Sequence, residues 1–233
     1  MRGLRLFAAA LLLFVGMGPA VAGQAKRAPA QWVNTVVRTA EGGYRQGNPA
    51  APIKLIEYGS RTCPTCGRFA AEGVEPLRRE WIASGKLSYE FRDFLIHGAP
   101  DFALALLNQC VPTQRFFPVL DAMFANQQGF AERLEKVPAK TLEGYQQLPP
   151  PQMATRFAEA MGAIAFMKQH GVPEAQARRC LADPAAIRRV AKTNADGANV
   201  HGVNGTPTFF VNGRKVRAYS WDALQPELRA ADN

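Results

Sequence analysis

The 233-residue chain is poor in the residues that build metal sites. It has three histidines, His97, His170 and His201, and none stands at ligand spacing from another ligand. Only one of its cysteine pairs is close in sequence, whereas structural zinc sites usually take two such pairs. A metal ion or other cofactor is therefore not expected. Apolar runs of the ~20 residues that span a bilayer are also missing. The longest, Leu6 to Met17, falls short, and its flanks give it another meaning. The formal charge is +9, but the basic residues are scattered. Arg78-Arg79, Arg178-Arg179 and Arg188-Arg189 recur without interleaved aromatics, so they read as a solvated cationic surface and not as a nucleic-acid footprint. Internal repeats and low-complexity tracts are absent.

What is present begins with an address. Arg2 and Arg5 form a positive n-region, Leu6 to Met17 an apolar h-region, and Ala20-Val21-Ala22 a small-x-small cleavage site. Residues 1–22 are expected to be a signal peptide cleaved on export to the periplasm; the alternative is an uncleaved N-terminal membrane anchor. No cysteine sits at the predicted cleavage point, which argues against a lipoprotein. About 210 residues would remain, enough for one large domain or a domain carrying an insertion.

Residues 23–35 read as a flexible arm, and Gly42-Gly43 and Asn48-Pro49 as turns. Ile53 to Tyr58 is a short β-rich run with the character of a buried central strand. From Cys63 to Trp81 the spacing is helical, with Pro76 set to kink or end its first half. Lys86 to Phe94 alternates like a second strand. Between about Asp101 and Ala198 almost nothing reads as strand. Asp101 to Cys110, Pro118 to Asn126 and Met153 to His170 are expected helices, with Pro149-Pro150-Pro151 as a stiff connector. Asp183-Pro184 supplies an N-cap followed by proline at N1. Thr208 to Val211 is again a strand, turned by Asn212-Gly213 onto Arg214 to Ala218. Trp221 to Ala230 closes the chain as a helix. Two halves of one small mixed sheet are thus separated by about a hundred helical residues.

In an exported protein thiols tend to pair, and four cysteines permit three connectivities that sequence cannot choose between. Cys63 and Cys66 are close enough to pair locally, but a structural bridge closing so small a loop would constrain the unfolded chain little. Redox chemistry has a mechanism. A C-x-x-C that opens a helix after a buried strand exposes the first sulfur and tucks the second one turn behind it. The helix N-terminus offers unpaired N–H groups and a positive dipole end, both favouring thiolate at Cys63. Pro64 suits N1, where its missing N–H costs nothing. Cys63 can then form a mixed disulfide that Cys66 resolves.

Two further residues bear on this pair. Glu57 is the one acid in an apolar strand. It is either buried, with a raised pKa that suits proton exchange with Cys66, or at a strand edge facing water. Pro207 precedes a β run. A cis Thr206–Pro207 bond would leave the Thr206 backbone free to pair with an extended substrate; a trans bond would make an ordinary strand start.

Taken together, Ile53 to Gly59, Cys63-Pro64-Thr65-Cys66 and Gly205-Thr206-Pro207-Thr208-Phe209-Phe210-Val211-Asn212-Gly213 resemble the DsbA-like thiol–disulfide oxidoreductases of the thioredoxin superfamily. The resemblance implies an α/β thioredoxin fold interrupted by a helical insertion. Residues 36–98 and 199–233 would form the two thioredoxin parts, and 99–198 the insertion. It implies Cys63 as nucleophile, Cys66 as buried partner, Pro207 as the cis-proline with Thr206 at the substrate-binding edge, and Glu57 as the family's buried glutamate. Cys110 and Cys180 would form a second, structural disulfide. The partners implied are reduced or folding secreted polypeptides and a membrane-bound, quinone-linked re-oxidase, for a monomer that binds no nucleic acid.

One departure stands out. The best-known periplasmic oxidants carry histidine where this chain has Thr65, so the dipeptide Pro64-Thr65 leaves the direction of electron flow open. A dithiol oxidase is the leading expectation. An isomerase or reductase in the same compartment is the alternative, and a non-catalytic polypeptide-binding holdase the alternative from another class.

Overall fold

The computed structural model describes residues 29–232. The expected signal peptide, residues 1–22, lies outside them. A six-stranded mixed sheet forms one layer. In chain order its strands are β1 (Val36–Arg38), β2 (Tyr44–Gly47), β3 (Ile53–Gly59), β4 (Leu87–Asp93), β5 (Thr208–Val211) and β6 (Arg214–Val216). Their spatial order is β1-β2-β4-β3-β5-β6. β3 runs parallel to β4 and antiparallel to β5, so it has a partner on each side and carries a nearly continuous apolar sequence. Parallel pairing of β3 and β4 requires a crossover, which a helix supplies.

That helix is α2 (Pro64–Pro76), extended over Leu77–Ile82 as a wider π-helical stretch. As expected, the regular α-helix ends its first half at Pro76. Pro76 has no N–H to donate, but the Leu77 N–H still reaches the carbonyls of Gly73 and Val74, so the helix loosens and continues. Phe69, Val74, Leu77 and Ile82 bury its inner face with Leu55, Phe91 and Phe209 of the sheet and Leu224 of α11 (Trp221–Asp232).

Between β4 and β5 the chain is entirely helical. α3 (Ala99–Asn108) leads, followed by α4 (Phe116–Ala125), α5 (Gln127–Glu135), α6 (Ala139–Gln146), α7 (Pro150–Ala160), α8 (Ala163–Gln169), α9 (Glu174–Leu181) and α10 (Pro184–Asn199). These helices have their own apolar core, centred on Leu104, Leu107, Met123, Phe157, Leu181 and Val190. α3 reads apolar almost all round because it is buried on nearly every side. A disulfide joins Cys110, just past α3, to Cys180 in α9, with Cα atoms 5.7 Å apart and a sequence separation of 70. Tyr58, Phe94, Val203 and Phe210 form a third, small cluster where the chain leaves the sheet and returns to it. The observed fold class, an α/β thioredoxin sheet with a long helical excursion, is the expected one.

Four local readings are corrected. β1 and β2 form a hairpin where only turns were expected; β1 is held extended by pairing to β2, and β2 by pairing to β4 as well, with Tyr44 opposite Phe91. Part of the expected flexible arm is ordered, because Pro29–Val33 is a short helix, α1, whose Trp32 and Val33 pack on the sheet core. Residues 153–170 form no single helix: Gly162 adopts the left-handed region, φ 69°, and separates α7 from α8. Pro150 and Pro151 form the first turn of α7, where a missing N–H is tolerated, and do not act as a connector. No helix among the described residues is long and apolar enough to cross a membrane.

Candidate active site

β3 ends at Gly59, and the chain turns through Ser60-Arg61-Thr62 into α2. Cys63 is the N-cap of that helix, with φ −77° and ψ 119°, and Pro64 occupies its first turn. Cys66 lies one turn on and is fully buried, whereas Cys63 keeps 7% of its surface exposed. Both are free thiols. Their environments separate them. The Cys63 thiol is held down at about 5, chiefly by the Cys66 S–H donated to it. Burial opposes this, while Thr206 and the backbone N–H groups of Cys66 and Thr65 at the helix start reinforce it. Cys66 moves the other way, well above the ordinary thiol range, because of burial first, then its bond to Cys63 and the charge on Glu57.

Facing Cys63 across the sheet end is the Thr206–Pro207 peptide, which is cis. As a thiol, Cys63 donates to the Thr206 carbonyl oxygen at 3.2 Å, a contact between residues 143 apart in sequence. The position is fixed by β5, which pairs with β3 from Thr208 opposite Tyr58 to Val211 opposite Leu55.

Glu57 is 1% exposed, on the face of β3 shared with Leu55 and Gly59. Its Oε2 accepts from the Tyr89 hydroxyl at 2.5 Å, and its Oε1 is buried without a hydrogen-bond partner. Burial pushes its carboxyl up to about 8; the Tyr89 bond opposes this and the Cys63 charge adds to it. Gly59 makes the room, since a Cβ there would stand 2.8 Å from Glu57 Oε1 and 2.4 Å from the Phe91 ring.

The loop before Cys63 is tied down by residues that carried no expected site role. Arg61 is 2% exposed and pairs with Asp93 of β4, itself 3% exposed. The Arg61 Nε and Nη2 atoms donate to Asn108 Oδ1 at 3.1 and 2.8 Å, and the guanidinium lies 5.2 Å from the centre of the Phe91 ring. Asp101, buried in the first turn of α3, accepts from Ser60 Oγ at 2.8 Å, Thr62 Oγ1 at 2.9 Å, the Thr62 N–H at 3.1 Å and the His97 N–H at 3.0 Å. Ser60 Oγ in turn accepts from the Cys63 N–H at 3.1 Å. From α5, Gln127 Nε2 donates to the carbonyl oxygens of Arg61 and Cys63, each at 2.9 Å. The only advance signal for these residues was polarity out of place, as with Asp101 and Asn108 in the apolar sequence APDFALALLN. Gln127 carried none.

The structure therefore brings Cys63, Cys66, Glu57, Thr206 and Pro207 to one end of the sheet. Pro64 and Thr65 lie on the first turn beside them, and Cys110 and Cys180 stand apart in the helical excursion. Among the described residues no group of three or more His, Cys, Asp or Glu side chains could hold a metal ion. A dithiol with one depressed and one raised thiol, next to a buried carboxyl and a cis-proline, has the parts for thiol–disulfide exchange.

The thioredoxin family model matches residues 39–229, which spans both parts of the sheet and everything between. The chain belongs to the thioredoxin family. Within that family its likeness is to the DsbA-like oxidoreductases. A "Putative protein-disulfide oxidoreductase" of Rickettsia felis is 26% identical over 186 residues, 79% of this chain; the chain spans 58% of that relative's length. The crystal structure of a protein-disulfide isomerase from Novosphingobium aromaticivorans superposes with a TM-score of 0.79 at 27% identity, covering 84% of this chain and 100% of the other. Wolbachia pipientis alpha-DsbA1 shares the fold, with a TM-score of 0.62 at 21% identity over 82% of this chain and 90% of its own.

Proposed function

We propose that the chain is an exported dithiol oxidase that introduces disulfides into secreted polypeptides in the periplasm. A substrate thiolate attacks the Cys63 sulfur of the Cys63–Cys66 disulfide, forming a mixed disulfide and releasing Cys66 as thiolate. Cys66 takes up a proton, which Glu57 would supply. A second substrate thiolate then attacks the substrate sulfur and expels Cys63. The substrate loses two electrons and the protein gains them, to be passed to a membrane-bound, quinone-linked re-oxidase.

The observation that carries this reading is the unequal pair: a Cys63 thiol at about 5 beside a Cys66 thiol pushed up. A stabilised Cys63 thiolate favours the reduced protein, and a stable reduced form makes the disulfide a better oxidant. Thr206 and Pro207 would hold the substrate strand, and Pro64-Thr65 would set the potential. We assign residues 36–98 and 199–233 to the thioredoxin unit, with 99–198 as its insertion, in a monomer.

The isomerase reading is kept because the Novosphingobium relative bears that description. A holdase would need neither thiol. The test is oxidation of a reduced, unfolded secreted protein, with the potential of the Cys63–Cys66 couple measured alongside. Cys63→Ser should abolish transfer, and Cys66→Ala should trap substrates as mixed disulfides at Cys63. A couple above roughly −180 mV supports the oxidase, and one near roughly −270 mV a reductase. Wild-type transfer by Cys63→Ser would refute the mechanism.

A further inference from the structure

Asp101 is the third residue of α3 and is 2% exposed. A carboxylate in the first turn of a helix has an ordinary structural use, because it can accept from the unpaired N–H groups there. Its Oδ2 does this, taking the His97 N–H at 3.0 Å just before the helix starts. Oδ1 is turned elsewhere. It accepts from Ser60 Oγ at 2.8 Å, Thr62 Oγ1 at 2.9 Å and the Thr62 N–H at 3.1 Å, all in the loop that leads into Cys63. Ser60 is 1% exposed. With its hydrogen committed to Asp101, its Oγ faces the Cys63 N–H and accepts from it at 3.1 Å; the Ser60 carbonyl shares that N–H at 3.3 Å.

We propose that Asp101 is a positioning residue for the nucleophile: acting through Ser60 and Thr62, it holds Cys63 at the cap of α2, with its sulfur at the first N–H groups of that helix. The inference rests on the reading of Cys63 as the attacking thiol and adds the residue that presents it. The other groups that tie the loop hold different atoms. Gln127 holds the carbonyls of Arg61 and Cys63, and the Arg61 side chain turns away to Asp93 and Asn108. The route to the Cys63 N–H runs through Ser60 to Asp101.

Position matters because the hydrogen bonds that favour a thiolate weaken steeply with angle. A Cys63 that swings off the cap loses the help of the Thr65 and Cys66 N–H groups. Charge cannot be the means, since a carboxylate near a thiolate disfavours it. The two effects have opposite signs. Removing a negative charge alone would make the Cys63 thiolate easier to form, whereas losing the position would make it harder. The helical excursion thus reaches into the thioredoxin part with one oxygen of one side chain.

The test titrates the Cys63 thiolate of the reduced protein by ultraviolet absorbance and follows its equilibrium with glutathione. Wild type, Asp101→Ala, Asp101→Asn and Ser60→Ala are compared, with urea unfolding alongside. Asp101→Ala should raise the midpoint by about one pH unit or more. It should also move the glutathione equilibrium about tenfold towards the protein disulfide, equal to about 30 mV. Asp101→Asn keeps an oxygen for Ser60 and Thr62 and should recover most of the shift. Ser60→Ala removes the acceptor of the Cys63 N–H with little change of volume. It should raise the midpoint in the same way, and it decides the matter if Asp101→Ala folds poorly. A midpoint that is unmoved or lowered in either folded alanine variant overturns the inference, whatever happens to urea resistance; Asp101 then serves α3 alone. A wild-type midpoint in the ordinary thiol range instead overturns the reading of Cys63 on which the inference rests.

Discussion

The side-chain oxygen of Gln127 occupies the place a β-carbon on Gly67 would need: an added Cβ would stand 2.5 Å from it. Gly67 lies in the first half of α2, and Gln127 reaches it from α5 while holding the carbonyls of Arg61 and Cys63. Alanine at 67 should gain about 1 kcal/mol of helix propensity and lose the Gln127 bonds, each worth about 1 kcal/mol. The two positions should therefore be coupled by about 1–3 kcal/mol in a urea-unfolding double-mutant cycle. Gly67→Ala should stabilise the protein only in the Gln127→Ala background. An equal effect in both backgrounds would show that the contact carries no energy.

The thiolate at Cys63 should be visible in the pH profile of the reduced protein. Alkylation rate and thiolate ultraviolet absorbance should titrate with a midpoint at about 5. The folded value lies below the ordinary 9.0, so this thiol contributes stability that is complete above about pH 9 and lost as pH falls through about 5. Reduced protein should gain urea resistance across that window relative to Cys63→Ser. A midpoint in the ordinary thiol range would remove the physical basis for an oxidant.

Glu57 should behave in the opposite sense. Its carboxyl is raised from 4.5 to about 8, so the native state holds the proton more tightly than the unfolded chain between those values. Stability should fall as pH rises through that interval, because the unfolded chain ionises there at no desolvation cost. Glu57→Gln should therefore match wild type below about pH 4.5 and exceed it increasingly up to about pH 8, as read by thermal melts. It should also slow disulfide exchange at neutral pH. If exchange is unchanged while stability rises, Glu57 is buried for reasons other than proton transfer.

Removing one member of the Arg61–Asp93 pair leaves a charge in the interior. Asp93→Ala should cost roughly 3–5 kcal/mol, the range for breaking a buried ion pair. The replacement Arg61→Met with Asp93→Leu should recover much of that loss. Denaturant midpoints at constant slope are the measurement. A loss below about 1 kcal/mol for Asp93→Ala would mean that water or relaxation compensates the charge.

The readable parts of the chain were those whose signal is local. β3, the Cys63–Cys66 segment and the Asn212-Gly213 turn each declare themselves within a few residues, and Asn212 and Gly213 take the positive φ values, 49° and 81°, that such a turn needs. β1 and β2 did not, because Tyr44-Arg45-Gln46-Gly47 is held extended by its pairing to β1 and β4. The split at Gly162 was hidden by apolar residues that keep helical spacing across it. At the site, the cysteines, Glu57 and Pro207 could be picked out by residue type. Arg61 could not, since an isolated arginine reads as exposed until Asp93 and Asn108, 32 and 47 residues on, are folded against it.

This distribution sets an order on events as the chain is made. The cysteine pair emerges early, but the groups that hold its loop come from residues 93, 101, 108 and 127, and the carbonyl facing Cys63 arrives 143 residues later. Contacts so far apart in sequence are slow to form, because each must close a long stretch of chain. Until β5 docks on β3, Cys63 has the bond from Cys66 and the N–H groups of its own helix start but lacks the Thr206 contact. The surroundings of Cys63 are thus completed late, and the Thr206 contact forms only once the two halves of the sheet have met.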